Sequence, residues 1–373
     1  MARIDYDLTK SPGWSSLADG SHNITIVAKA DGYKDSEPSA GVSVTKAFVP
    51  PTDCITFTGE SSDFTLRASK QWNGTVEYST DGTQWTTWSG TAISSHNKRL
   101  YLRGRGNTTF YRNGGTKFVL SARAACSGNI QTLLEYSNPP TTLSTDNTYF
   151  NMFNGCTNLT TAPDLPATTL TPYCYALMFR GCTNLTKAPD LPATTLSSNC
   201  YDNMFDGCTS LTTAPELPAT TLASACYTNM FSGCTNLTTA PDLPATNLAR
   251  SCYNGMFSGC TKLTTAPDLP ATKLASSANN CYANMFSGCK SLTKAPNLPA
   301  TTLSQNCYAD MFAGCTSLKI SATQSSEYPT AWRIPSTGTI SSTAKDWNYE
   351  MLVNTGGTFT SAPSINTTYY GAW

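Results

Sequence analysis

Leu185-Thr-Lys-Ala-Pro-Asp-Leu-Pro-Ala-Thr-Thr-Leu196, continued by Ser-Ser-Asn-Cys200-Tyr-Asp-Asn-Met204-Phe-Asp-Gly-Cys208, is one unit of a pattern that fills most of the chain. Its end, Met-Phe-x-Gly-Cys, occurs seven times, with Cys at 156, 182, 208, 234, 260, 289 and 315. The spacing is 26 residues, except for one step of 29 whose extra residues lie within Ala275–Asn280. A fixed period of this length is the mark of a stacked array, in which each unit contacts only its neighbours.

The unit divides into three pieces. Pro189 and Pro192 forbid a helix, so Leu185–Pro192 reads as extended. Ala193–Leu196 is short and β-branched and suits a second brief strand. Cys200–Gly207 reads as one or two helical turns, with Cys200, Met204 and Phe205 on one face and Gly207 as the stop. No unit can bury its Leu, Met, Phe and Cys alone, so stacking must join those faces into one core. The ends depart from the pattern as caps should. Thr148 replaces the first Cys, Ile130–Tyr136 reads as a short capping helix, and Trp347 takes the Cys position in Asp346–Leu352. Thr358–Ile365 echoes the strand.

Residues 1–125 have another texture. Ile24–Ala30 alternates like a strand, Gly41–Thr45 follows it, and Ala47–Thr52 looks like a linker. Short strands are expected at 55–57, 64–66, 76–78, 85–88, 100–102 and 117–120, with Asp81-Gly82 as a hairpin turn. The expected fold is mostly β. An N-terminal β arm or partial immunoglobulin-like domain spans 1–47, a β-sandwich domain 48–125, and a leucine-rich-repeat solenoid with short helices and caps 126–373.

The register Met-Phe-x-Gly-Cys-Thr-x-Leu-Thr-x-Ala-Pro-x-Leu-Pro-Ala-Thr-x-Leu resembles the BspA-like leucine-rich repeats of bacterial surface proteins, in a variant similar to those of gut Bacteroidales and of phages that infect gut bacteria. The Glu77–Trp85 hairpin is similar to β-sandwich modules ahead of such arrays. Gly32–Ser39 resembles the closing strands of bacterial and phage immunoglobulin-like domains. The resemblance implies adhesion to host surfaces or matrix without catalysis. It carries no functional residues to transfer.

Composition narrows the function classes. Charged residues are 13% of the chain and the formal net charge is zero, so no basic stripe awaits nucleic acid. No apolar run is long enough to span a membrane. Met1–Asp7 carries charges where a signal peptide needs an apolar stretch, so none is expected. The chain holds only two histidines, His22 and His96, and no nucleophile elbow, phosphate loop or zinc-binding His pair. Its repeat carboxylates come in equivalent copies, whereas acid–base catalysis needs unlike environments. No enzyme activity, cofactor or metal is expected.

Thirteen of the fifteen cysteines form two columns, one before Tyr and one after Gly. The favoured reading is buried free thiols, with metal sites or some disulfides, including Cys54–Cys126, as alternatives. The position between Pro and Leu holds Asp164, Asp190, Glu216, Asp242, Asp268 and Asn297, an acidic ladder that reads either as a cation- or ligand-binding edge or as a solvated row. Beside it, Thr161, Lys187, Thr213, Thr239, Thr265 and Lys294 vary between repeats as a recognition face does. These twelve residues are the candidate binding face, and Arg180, Arg250, Lys262, Lys273 and Lys290 scatter positive charge elsewhere. Three functions follow as expectations: a virion appendage or decoration protein, a bacterial cell-surface adhesin, and a passive spacer. The expected partners are other virion or surface subunits through the N-terminal arm and a host-surface protein or glycan through the repeats, placing the chain on a virion or cell surface.

Overall fold

The computed structural model describes residues 20–24, 40, 42–46, 54–69, 71–334, 339–340 and 344–373. The chain forms two compact units, Met1–Thr52 and Asp53–Trp373. In the first, β1 (Gly20–Ile24) pairs antiparallel with β2 (Val42–Lys46), Gly20 opposite Lys46. Thus β2 falls where the alternation predicts. Residues 25–30, the linker and Gly32–Ser39 lie outside the described residues.

The second unit opens with β3 (Ile55–Gly59), β4 (Thr65–Ala68), β5 (Thr75–Ser79), β6 (Thr86–Thr87), β7 (Ile93–Ser94), β8 (Arg99–Arg105), β9 (Phe118–Leu120) and β10 (Ala124–Ser127). Asp81-Gly82 makes the turn it promises. Gly82 has φ 73°, and Asp81 accepts the N–H groups of Thr83 and Gln84, so β5 and β6 pair antiparallel. Two sheets result, one ordered β7-β4-β9 and the other built on β10-β3-β8-β5-β6. They meet through Phe57, Leu66, Trp88, Leu102 and Phe118, all buried. The boundary expected at 125/126 falls inside β10. That strand pairs antiparallel with β3 and parallel with β11 (Leu159–Thr161) of the first repeat, so one sheet runs into the array.

In the array the expected short helices are absent, and every residue of Cys200–Gly207 lies in a turn. Alternate N–H groups close turns three residues back: Cys200 to Ser197, Asp202 to Asn199, Met204 to Tyr201, Asp206 to Asn203, Cys208 to Phe205. The N–H groups between them bond to the next repeat: Asn199 to Ser224, Tyr201 to Cys226, Asn203 to Thr228, Phe205 to Met230, Gly207 to Ser232, at 2.7–3.0 Å. The cause lies at Asn199, Asn203 and Gly207, whose φ values of 57°, 53° and 72° break a right-handed helix every fourth residue. Each left-handed residue is followed by a buried pair or single: Cys200-Tyr201, Met204-Phe205, Cys208. The apolar period is therefore four, where a helix requires 3.6.

The predicted strands also shrink. Beyond β11, the Leu-Thr-x-Ala-Pro segments pair as single parallel bridges, Thr161 with Lys187, Thr213 with Thr239, Thr239 with Thr265, Thr265 with Lys294. Two prolines per segment remove donors a longer ladder would use. The Ala-Thr-Thr-Leu segments make a second column of bridges, including Thr142–Thr169 and Thr169–Thr195, ending in β12 (Thr302–Leu303) against β15 (Thr339–Ile340). A final antiparallel sheet joins β13 (Ile320–Ser321), β14 (Thr330–Ile334) and β16 (Thr367–Gly371). Ile130–Leu133 is a 3₁₀ turn capped by Asn129, not a longer helix. Among the described residues the regular structure is nearly all strand, and no sheet closes into a barrel.

Two aromatic columns hold the stack. Tyr149, Tyr175, Tyr201, Tyr227, Tyr253, Tyr282 and Tyr308 lie ring on ring at 5.7–5.9 Å, within 11° of parallel. Phe153 through Phe312 repeat the arrangement at 5.4–5.8 Å. Phe110 stacks on the first tyrosine and Phe118 meets the first phenylalanine edge-on. Trp347 and Trp332 close the other end against Tyr308 and Phe312.

Candidate functional site

All twelve candidate residues are exposed. The parallel bridges place equivalent residues of paired repeats about 4.8 Å apart, so the Thr/Lys column and the Asp/Glu column run side by side across the coils. The bridge column breaks between Lys187 and Thr213, and a groove of about 500 Å3 opens there. Lys187, Asp190, Thr213 and Glu216 rim it, and Leu191, Pro192, Pro215 and Pro218 line its apolar part. The structure thus brings four of the twelve together around one depression. Asp164 is placed differently. Its backbone bridges Asn129, donating to Gly128 and accepting from Ile130, so it sits at the seam with the N-terminal cap. The remaining candidates continue the two columns along the array. Among the described residues, no three His, Cys, Asp or Glu side chains converge to hold a metal ion.

Part of the scattered positive charge has structural work. Arg180 Nε donates to Asp206 of the next coil at 2.8 Å, and Lys262 Nζ donates to Asn236 Oδ1 at 2.7 Å. Beside that ion pair, partial burial pushes the Asp202 carboxyl up to about 6, with Asp206 adding repulsion while Asn203 and Arg180 oppose the shift.

The cysteines are not poised for chemistry. All fifteen are buried, and none forms a disulfide, so Cys54 is not bridged to Cys126. In the column after Gly, the six thiols from Cys182 to Cys315 each donate to the phenylalanine carbonyl of the preceding repeat, as Cys208 Sγ does to Phe179 O at 3.1 Å. That carbonyl also accepts the Cys182 N–H, so both its lone pairs are used. Burial pushes Cys200 up to about 12 and Cys156 up to about 11, so neither forms a thiolate near neutral pH.

A second depression, of about 400 Å3, lies on the turn side of the last coils, and the sequence reading missed it. Asn280, Ala283, Asn284, Asn306, Ala309, Asp310, Asp346 and Tyr349 line it. Tyr349, 54% exposed, is the most exposed large apolar residue among those described. The available signal was its place in the repeat, where the two preceding coils carry Ala283 and Ala309.

A family model described as BspA type Leucine rich repeat region matches the chain in six copies, over residues 146–270 and 227–328. No curated protein and no solved structure matches the chain. Among the described residues, no helix is long and apolar enough to cross a membrane.

Proposed function

Since residues 146–328 belong to the BspA-type leucine-rich repeat family, we propose that this chain is a non-enzymatic binding protein displayed on a surface, its repeats forming a solenoid that meets a host-surface protein or glycan. The observation that carries this reading is the groove at the broken bridge column, where Lys187, Asp190, Thr213 and Glu216 stand beside Leu191, Pro192, Pro215 and Pro218. A concave apolar floor with a few polar groups at its rim is the usual form of a binding site. The finer setting is a virion appendage, with the N-terminal β arm or partial immunoglobulin-like domain attached to other subunits. Its support is a surface of hydroxyls and amides with zero net charge. A bacterial cell-surface adhesin is the second reading, favoured by the family match itself.

The test is saturable binding of the labelled full chain to gut bacterial cells and to immobilised intestinal mucin. Replacing Lys187, Asp190, Thr213 and Glu216 together by alanine should weaken binding at least about tenfold, or ~1.4 kcal/mol, without moving the melting temperature. Unchanged binding would remove the groove from the reading. Wild-type protein with no saturable binding would leave only a passive spacer.

A further inference from the structure

The turn segments of the last three coils carry left-handed residues at Asn280, Asn284, Asn306, Asp310, Asp346 and Glu350, with φ between 46° and 57°. Asn and Asp tolerate that conformation, so backbone geometry alone accounts for their presence. It does not account for what their side chains do. Two such residues elsewhere bond through their side chains, Asn151 Nδ2 donating to Gly114 O and Asn203 Nδ2 to Asp202 Oδ1, whereas Asn147, Asn199 and Asn229 do not. Among the described residues, the side chains of Asn280, Asn284, Asn306, Asp310 and Asp346 make no hydrogen bond to another protein group, although all five line the depression. Their backbones are fixed meanwhile. Asn280, Asn284, Asn306 and Asp310 donate N–H to Gln305, Ala309, Lys345 and Tyr349 of the following coil.

The fourth wall is aromatic. Tyr349 stands more than half exposed, while Ala283 and Ala309 at the equivalent positions of the neighbouring coils leave the space beside it open. An open ring next to amides that both donate and accept, and carboxylates that accept, matches one ligand chemistry. The C–H face of a pyranose packs on the ring while its hydroxyls bond the polar groups. We propose that this depression is a saccharide subsite, with Tyr349 as the stacking platform and Asn284, Asn306 and Asp310 as hydroxyl partners. The proposal rests on the surface-binding reading above and assigns it a ligand class at a separate place.

The experiment is saturation-transfer NMR on the full chain with neutral oligosaccharides of mannose, galactose and N-acetylglucosamine. Magnetisation should pass to ring C–H protons of at least one oligosaccharide. Tyr349→Ala should weaken its binding at least about tenfold, whereas Tyr349→Phe, which keeps the ring, should retain it. Asn284→Gly preserves the left-handed backbone and removes only the amide, so it should weaken binding at an unchanged melting temperature even if Tyr349→Ala proves unstable. No transfer to any of the sugars would overturn the proposal. Binding lost in the Lys187/Asp190/Thr213/Glu216 variant but kept in Tyr349→Ala would overturn it too, while leaving the surface-binding reading standing.

Discussion

At Leu177 the backbone has φ 58°, where the next three equivalent residues are Asn203, Asn229 and Gly255. A branched aliphatic side chain pays about 1 kcal/mol for that conformation. Leu177→Asn should therefore stabilise the chain by about that amount, and Asn203→Ala should destabilise it similarly, both measured by denaturant melts. Gly207 shows why the column is glycine. At φ 72° a Cβ there would be strained, although it would meet nothing closer than Gly181 Cα at 3.8 Å. Asp202 offers a pH test. Its carboxyl is raised in the folded chain, so folding favours its protonated form. That contribution is complete below the ordinary carboxylate range and is lost as pH rises through about 6. Asp202→Asn should flatten the slope of stability between pH 4 and 7 and stabilise the chain at neutral pH by about 1 kcal/mol after solvent screening. The buried Cys208 thiol fills space and donates one hydrogen bond, so Cys208→Ala should cost about 2 kcal/mol. Thiol titration should find few reactive groups in the native protein and all fifteen after denaturation without reductant. Fewer than about five would mean that the columns pair covalently.

One repeat is the element of this fold. Its forward hydrogen bonds and ring contacts recur every 26 residues, so removing residues 209–234 should rejoin both columns in register and leave a cooperative melt. Removing residues 209–221 leaves half a coil and should abolish cooperative unfolding, as read by circular dichroism. The period, the stacking and the columns were legible in the sequence, because Met-Phe-x-Gly-Cys recurs without ambiguity. The helix was not decidable there, because Cys200, Met204 and Phe205 fit both a period of 3.6 and a period of four over so short a span. Asn199, Asn203 and Gly207 held the missing signal: left-handed formers spaced by four are turn residues. The strands were overestimated because prolines that exclude a helix also starve a ladder. The candidate face was legible as an exposed pair of columns. Its groove was not, since it depends on which bridge fails to form. The Tyr349 depression combines three separated segments, and its one signal is the aromatic at a repeat position that holds Ala283 and Ala309 in the two preceding coils.

At the scale of the molecule, the aromatic columns begin in the β region before the repeats and end in two tryptophans. Phe110 and Phe118 therefore cap the array, and β10 extends its sheet. A chain beginning at residue 126 should lose that cap and unfold at a distinctly lower temperature. Deleting residues 1–47, which belong to the other compact unit, should leave the main transition in place. Trp347→Ala should expose the end of the tyrosine column and cost about 3 kcal/mol.

Each turn segment bonds forward to the next coil instead of closing a helix on itself, which leaves left-handed residues along one side of the coils. Through-hydrogen-bond NMR coupling tests it directly, with asparagine labelled by 15N and threonine by 13C at the carbonyl. Asn203 follows the unlabelled Asp202, so no one-bond splitting obscures its signal. Its N–H should couple to the carbonyl carbon of Thr228, 2.8 Å away between N and O in the next repeat. No such coupling, together with an Asn203–Asn199 coupling in a second sample whose asparagine carries 15N and carbonyl 13C, would show an α-helix there instead.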